Sequence, residues 1–226
     1  MKPRIKLDIA LLFLVIVVMT GLAVRFPFFY PRSIVLDGVL DFAGLWLILA
    51  GIFIRMASRG HKKAHSSKGY GLVTTGPYAL TRNPMYLGSF LLGTGFVLSV
   101  WPWFNVLIFV WAFYLRFNVQ MVKEEKQLGK FFGKSYEDYF RRVPRIFPRW
   151  EQLKKMKFKE VLPLDEIWST KERTGLFLWP LLVVSLEVFR EKIVFHTVPW
   201  DKTIFIFGLS VVTFGLVLFF LYKKDG

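Results

Sequence analysis

Apolar residues in this chain collect in long uncharged runs instead of alternating with polar ones. Thr203 to Tyr222 is twenty residues without a charge, about 30 Å as a helix, which matches the hydrocarbon thickness of a bilayer. Ile9 to Val24 is a second such run, bounded by Asp8 and Arg25. Phe42 to Ile54 is shorter and is read as a span that borrows Val39 and Leu40 before it and a turn beyond Arg55 after it. Pro84 to Leu115 carries no charge over thirty-two residues, and Trp101-Pro102-Trp103-Phe104-Asn105 sits in its middle. Proline interrupts a helix and Trp favours the membrane interface, so this run predicts two helices joined by a tight turn. Thr174 to Leu186 begins a fifth span that reaches Phe189 or beyond. The pattern predicts an all-α integral membrane protein of about six transmembrane helices.

Composition agrees with this. The chain is 54% hydrophobic with a mean hydropathy of +0.43, more apolar than the surface of a soluble domain of 226 residues allows. With the N-terminus inside, segments 1–8, 55–83, 116–173 and 223–226 hold 26 of the 31 Lys and Arg. That bias predicts both termini on the cytoplasmic side. The first span follows Lys2, Arg4 and Lys6 as a secretory signal would, but its apolar run is long, so it is expected to stay. The net charge of +15 lies beside the spans and no nucleic-acid-binding motif accompanies it. Attraction to anionic lipid headgroups accounts for the charge, and no nucleic-acid partner is expected. Without cysteine there is no disulfide, thiolate catalysis or cysteine metal site.

Two inward segments carry candidate chemistry. In the first, Gly76-Pro77 marks a turn and Asn83-Pro84 reads as a helix start, with Asn83 as cap and Pro84 at the first helical position. The free backbone donors beneath Arg82 would favour an anionic group. Tyr86, Gly88, Gly93 and Gly95 follow on that helix, where glycines permit either close packing or a cavity. In the second, Glu125, Gly129, Phe132, Tyr136 and Tyr139 share a helical face, which predicts that the fourth span continues beyond the membrane as one long helix. Glu124 is expected to point elsewhere, toward Leu128 and Phe131. The two carboxylates either bind a cation or meet Lys123, Lys126, Arg141 or Arg142.

Gly76-Pro-Tyr, Thr81-Arg-Asn-Pro-Met-Tyr-Leu-Gly88, Glu124-Glu125, Leu128, Phe132-Gly133, Tyr136, Tyr139, Val143-Pro144-Arg145 and Pro148 together resemble the membrane methyltransferase superfamily. This superfamily includes phospholipid N-methyltransferases and isoprenylcysteine carboxyl methyltransferases. The resemblance covers roughly residues 40–148. It implies a compact methyltransferase-like core with a cytoplasmic site for S-adenosyl-L-methionine (SAM). Carried over, the cofactor-binding residues are Tyr78, Asn83, Tyr86, Gly88, Gly93, Gly95, Glu124 and Glu125, with Glu125, Arg82 and Tyr86 as catalytic candidates. No metal is required. Prenylcysteine enzymes typically have His where this chain has Asn83, so the form looks more like the phospholipid enzymes. His61 and His65, in the preceding loop, do not replace that histidine by spacing.

The organisation expected is an N-terminal helix and outer loop (1–37), the core (38–148), and a basic juxtamembrane segment plus two helices (149–226). In the last part, Trp150, Leu153, Met156 and Phe158 would contact headgroups. Glu187 and Glu191 read as interface charges, and the C-terminal helices offer a possible homodimer contact. The expected activity is methyl transfer from SAM to a membrane lipid amine headgroup. The alternative within the class is carboxyl methylation of a prenylated or otherwise lipidated acceptor. A nicotinamide-dependent reductase shares the fold family, and a non-enzymatic transporter or scaffold is the reading from another class.

Overall fold

A computed structural model of the chain describes residues 14, 16–22, 24–30, 33–66, 71–194, 196 and 200–224. These residues are helical with no strand among them. Much of the first predicted span, including 9–13, lies outside the described residues, and residues 16–22 are helical. Six longer helices follow: α1 Ile34–His65, α2 Pro84–Val100, α3 Asn105–Phe132, α4 Lys134–Arg142, α5 Gly175–Val194 and α6 Trp200–Lys224. Helices α1, α3 and α6 are long and apolar enough to cross a membrane, and α2 is a shorter apolar helix.

The central element is α1. Its 32 residues reach about 48 Å, well past the short span expected from Phe42–Ile54. The charges that follow Ile54 therefore lie on its own last turns, and His61 and His65 belong to the helix instead of a loop. Leu45, Ile48, Leu49, Ile52, Phe53 and Met56 recur three and four apart and are buried. In lipid the hydrophobic effect does not drive helices together, so close packing and polar contacts must do so. Helices α1 and α2 run antiparallel and touch at two levels. A Cβ on Gly51 would lie 2.5 Å from the carbonyl oxygen of Gly88 and 2.7 Å from the nitrogen of Leu92, and a Cβ on Gly44 would lie 2.8 Å from the carbonyl oxygen of Gly95. The seven-residue separation of the glycines on each helix lets backbone meet backbone two turns apart.

The predicted turn at Trp101–Phe104 joins α2 to α3. The fourth span does run on beyond Leu115 as one long helix, but not as far as the tyrosines. It stops at Phe132, Gly133 adopts φ +49, and α4 starts in a new direction. The strained φ suits glycine. This break turns Tyr136 and Tyr139 back toward the bundle, where both are buried.

Residues after 148 pack on α1. Phe158, Val161, Leu162 and Ile167 belong to the same buried cluster as Ile48, Ile52 and Met56. Phe158 is thus part of the core instead of a headgroup contact, while Trp150 stays exposed. Trp46 Nε1 on α1 donates to Thr213 Oγ1 on α6 at 3.0 Å. Glu187 and Glu191 are not surface charges either: both are buried with Asp37 and Asp41 of α1 around Arg190 and Lys202. Arg190 Nη1 also donates to the carbonyl of Ser99 at 2.8 Å, joining α5 to the end of α2. Lys192, next to Glu191 in sequence, is exposed and takes no part in the cluster.

Candidate active site

The start of α2 is built by Pro84 at its first turn and Asn83 at the cap position, but the Asn83 side chain makes no cap hydrogen bond. Its Nδ2 donates instead to Glu125 Oε1 at 3.3 Å and to the carbonyl of Arg145 at 3.1 Å. Two further bonds stitch the same junction: Arg82 N donates to the carbonyl of Pro144 at 2.9 Å, and Thr81 Oγ1 to that of Arg145 at 3.0 Å. The two blocks separated by some sixty residues of sequence thus become one surface, with Thr81 and Asn83 buried in the seam.

That surface walls a cavity of about 450 Å³ lined by residues from α1, α2, α3, α4 and the Pro77–Leu80 turn, a volume in the range of small-molecule and cofactor sites. Tyr78, Arg82, Asn83, Tyr86, Glu124 and Glu125 all line it. Glu124 does not point away from Glu125: both face the cavity, because the turn of α3 that carries them is covered by the start of α2. Tyr86 Oη donates to Glu124 Oε1 at 2.9 Å, and Gln120 Nε2 donates to the same oxygen at 2.6 Å. Glu125 lies 3.2 Å from Arg145 and 3.6 Å from Arg82. Neither carboxylate meets the lysines or the Arg141 and Arg142 pair considered from the sequence. Arg145 also donates to Asn118 Oδ1 at 2.7 Å.

Arg82 is the least solvated cation of the site, its side chain 8% exposed. Its guanidinium stacks 3.6 Å over the Phe140 ring, and its buried Nε and Nη1 have no hydrogen-bond partner among the described residues. Buried donors in this state point to an anionic ligand or an ordered water. Aromatic walls complete the site: Tyr86 meets Phe117 edge-on at 5.3 Å, and Tyr139 Oη donates to the carbonyl of Tyr78 at 2.8 Å. Burial pushes the Tyr78 phenol up to about 12, with the Glu124 charge adding to it. Burial also raises Tyr139 and Tyr136; Glu125 adds to the effect on Tyr136, while Arg82 opposes it. These phenols stay protonated near neutral pH and act as donors instead of bases.

The carried-over glycines do not reach this cavity. Gly88 and Gly95 are spent on the contact with α1, and a Cβ on Gly93 would strike the Phe109 ring. Each makes a close packing contact, one of the two readings that the sequence left open. Phe117, Tyr136 and Tyr139 line the cavity as well, and of these only the two tyrosines stood in the motif; Arg145 and Gln120 are outside its lining and contact Glu125 and Glu124. Arg55 and Lys62 also reach the cavity from α1, and Arg55 donates to Ser89 Oγ at 2.5 Å.

The donor set fits SAM: Glu124 for its ammonium, an arginine whose buried donors no described residue fills for its carboxylate, and aromatic rings for its adenine. Residues 39–135 match the family Phospholipid methyltransferase. Among curated proteins, the chain is similar to the protein-S-isoprenylcysteine O-methyltransferases of Schizosaccharomyces pombe (31% identical over 55% of this chain and 55% of the relative), Saccharomyces cerevisiae (32%, 44% and 45%) and Rattus norvegicus (35%, 48% and 41%). The chain thus spans about half the length of the curated relatives it matches. No solved structure matches it. With the two motif blocks joined around one cavity, these matches identify residues 39–135 as a domain of the membrane methyltransferase superfamily.

Proposed function

We propose that the chain is an integral membrane enzyme that methylates the carboxylate of a prenylated or otherwise hydrophobic acceptor, with SAM as donor. The observation that carries this reading is the convergence of Glu124, Glu125, Arg82 and Tyr86 on one cavity at the junction of α2 and α3. Glu124, already oriented by Tyr86 and Gln120, is the group placed to hold an ammonium. Glu125 is held between two arginines, so its part is to fix them and not to abstract protons. Arg82, with two unused buried donors, would take a carboxylate, either the donor's or the acceptor's. Bound there, SAM would supply an electrophilic methyl group, and its transfer to a carboxylate oxygen neutralises both charges and releases no proton. A site whose Glu125 is clamped by two arginines and whose buried tyrosines stay protonated suits that chemistry. Its residues would act by orienting the reactants and excluding water. The charge bias along the sequence supports a cytoplasmic position for this end of the bundle, where SAM is available, in a six-span arrangement that an acceptor would enter sideways from lipid.

The names of the relatives favour the carboxylate over the lipid amine first expected. The amine reading keeps two supports, the name of the matching family and Asn83 in place of histidine. An amine would have to lose a proton before attack, and the site's one carboxylate outside the arginine clamp, Glu124, is the only candidate offered here. The experiment is incubation of the purified chain with methyl-labelled SAM and either a farnesylcysteine analogue or phosphatidylethanolamine vesicles. A base-labile methyl ester on the first supports the proposal. A base-stable N-methyl product on the second alone overturns it in favour of the amine.

A further inference from the structure

Near the C-terminal end of α1, on a different face from Arg55 and Lys62, His61 and His65 stand one turn apart and face the same carboxylate. His61 Nδ1 lies 2.7 Å from Glu166 Oε2, and His65 Nε2 lies 2.7 Å from Glu166 Oε1. One ligand atom from each of the three residues falls within 4.8 Å of the others. The imidazole rings lie 4.0 Å apart, tilted by 32°.

Two glycines build this cluster. A Cβ on Gly60 would strike the backbone of Glu166, and Gly76, at φ +59, would bring a Cβ to 2.6 Å from the His61 ring. The Leu164–Trp168 turn and the loop before Tyr78 can crowd against His61 only because both glycines lack a side chain. His61 is 5% exposed and Glu166 partly buried, whereas His65 is open to solvent. The cluster borders a cavity of about 560 Å³.

We infer that His61, His65 and Glu166 form a binding site for a divalent transition metal ion, zinc being the class that the ligands suit best. Two imidazoles and one carboxylate are a recurrent ligand set for zinc, and the cavity leaves the fourth position to water. The outer contacts favour it too. His61 Nε2 lies 2.9 Å from Thr75 Oγ1. With Nε2–H donated to that hydroxyl, the tautomer is set and the Nδ1 lone pair faces the site. Without metal, a proton must sit on the ring nitrogens that meet the carboxylate; the metal would take the place of those protons. The site would tie the C-terminal part, through Glu166, to the end of α1 and to the Thr75–Gly76 turn that leads into Tyr78 at the cofactor cavity. A metal bound here would therefore act on the shape of that cavity from outside it and take no part in methyl transfer.

The test uses Co²⁺ as the probe, added to the full chain purified in detergent after treatment with chelator. Tetrahedral or five-coordinate Co²⁺ gives visible absorption that does not depend on enzyme activity. The expected result is saturation at one equivalent, displacement by Zn²⁺, and at least tenfold weaker binding in His65→Ala and in Glu166→Gln. His65 is exposed, so its removal leaves the fold intact, which an unchanged SAM titration would verify. His196→Ala, at an exposed histidine elsewhere in the chain, should bind Co²⁺ like the parent. The proposal is overturned if no saturable absorption develops, if His65→Ala and Glu166→Gln bind like the parent, or if His196→Ala abolishes the signal.

Discussion

The two adjacent glutamates of α3 should respond differently to the same change. Glu125 sits 12% exposed between Arg82 at 3.6 Å and Arg145 at 3.2 Å. Each contact corresponds to roughly 5 kcal/mol of attraction at an effective dielectric of 20. Most of that is cancelled by desolvation, but removing one partner of a buried pair leaves the other unpaired and costs about 3–5 kcal/mol. Arg145 is 31% exposed and can turn to water, so the lower end, about 3 kcal/mol, applies to Glu125→Gln. Glu124→Gln leaves no buried cation unpaired, and its amide oxygen can still accept from Tyr86 and Gln120. Its cost should fall on ligand binding. A charge-assisted contact of about 1.5–3 kcal/mol corresponds to a loss in SAM affinity of about 10- to 150-fold. Thermal unfolding followed by intrinsic fluorescence, paired with calorimetric SAM titration of both purified variants, separates the two. Glu125→Gln should melt clearly below the parent, and Glu124→Gln should melt with it and bind SAM weakly. A parent-like melting temperature for Glu125→Gln, or full SAM affinity for Glu124→Gln, would refute the division of labour.

Gly95→Leu should destabilise the bundle without entering the cavity. The added side chain meets backbone of α1, so the helices must part at a cost of at least about 1–3 kcal/mol; a melt shows this, and SAM affinity per folded molecule should hold. Glu172 supplies a pH test. Burial raises it, but hydrogen bonds and charges from Arg55 and Arg59 outweigh burial and hold its carboxyl below the usual range. Its stabilisation is therefore complete above about pH 4.3, the unfolded carboxylate value, and is lost as pH falls through the lower folded value. The parent should lose stability relative to Glu172→Gln on acidification below about pH 4, and parallel melting curves across that range would count against the pairing.

The hairpin of α2 and α3 and the Asn83-Pro84 start were legible because each rests on local chemistry: proline at a helix start, tryptophan at a turn, charge against apolar runs; the grouping of Arg82, Tyr86 and Glu125 was implied by the family resemblance instead. What escaped depends on contacts between distant segments. The length of α1 was underestimated because its last turns carry Arg55, Arg59, Lys62 and Lys63, residues that look like a loop when a span is defined by the absence of charge. The break at Gly133 was missed because Phe132-Gly133-Lys134 keeps the helical period of the tyrosines across a change of axis. Gly88 and Gly95 could be placed on packing or on the cofactor only once Gly51 and Gly44 were found opposite. Glu187 looked like a surface charge because its partners Lys202 and Thr203 are remote in sequence.

Those remote partners also decide whether the residues after 148 are an accessory. Three polar anchors hold them to α1: Glu172 to Arg55 and Arg59, Glu166 to His61 and His65, and Arg190 with Lys202 to Asp37 and Asp41. The last anchor lies some twenty residues along α1 from the others, roughly 30 Å toward the opposite end of the bundle. Asp37 and Asp41 are 6% and 3% exposed. A chain ending at residue 148 would retain both carboxylates and lose both cations, a penalty of several kcal/mol for each unpaired charge, against a total stability of about 5–15 kcal/mol for a typical protein. The truncated chain should therefore fail to give a monodisperse, SAM-binding species in detergent, although residues 39–135 contain the whole family match. Adding Asp37→Asn and Asp41→Asn to the truncation removes the unpaired charges and should recover part of the yield. If residues 1–148 alone bind SAM with the affinity of the full chain, the buried ionic anchor is dispensable and the core stands without the C-terminal helices.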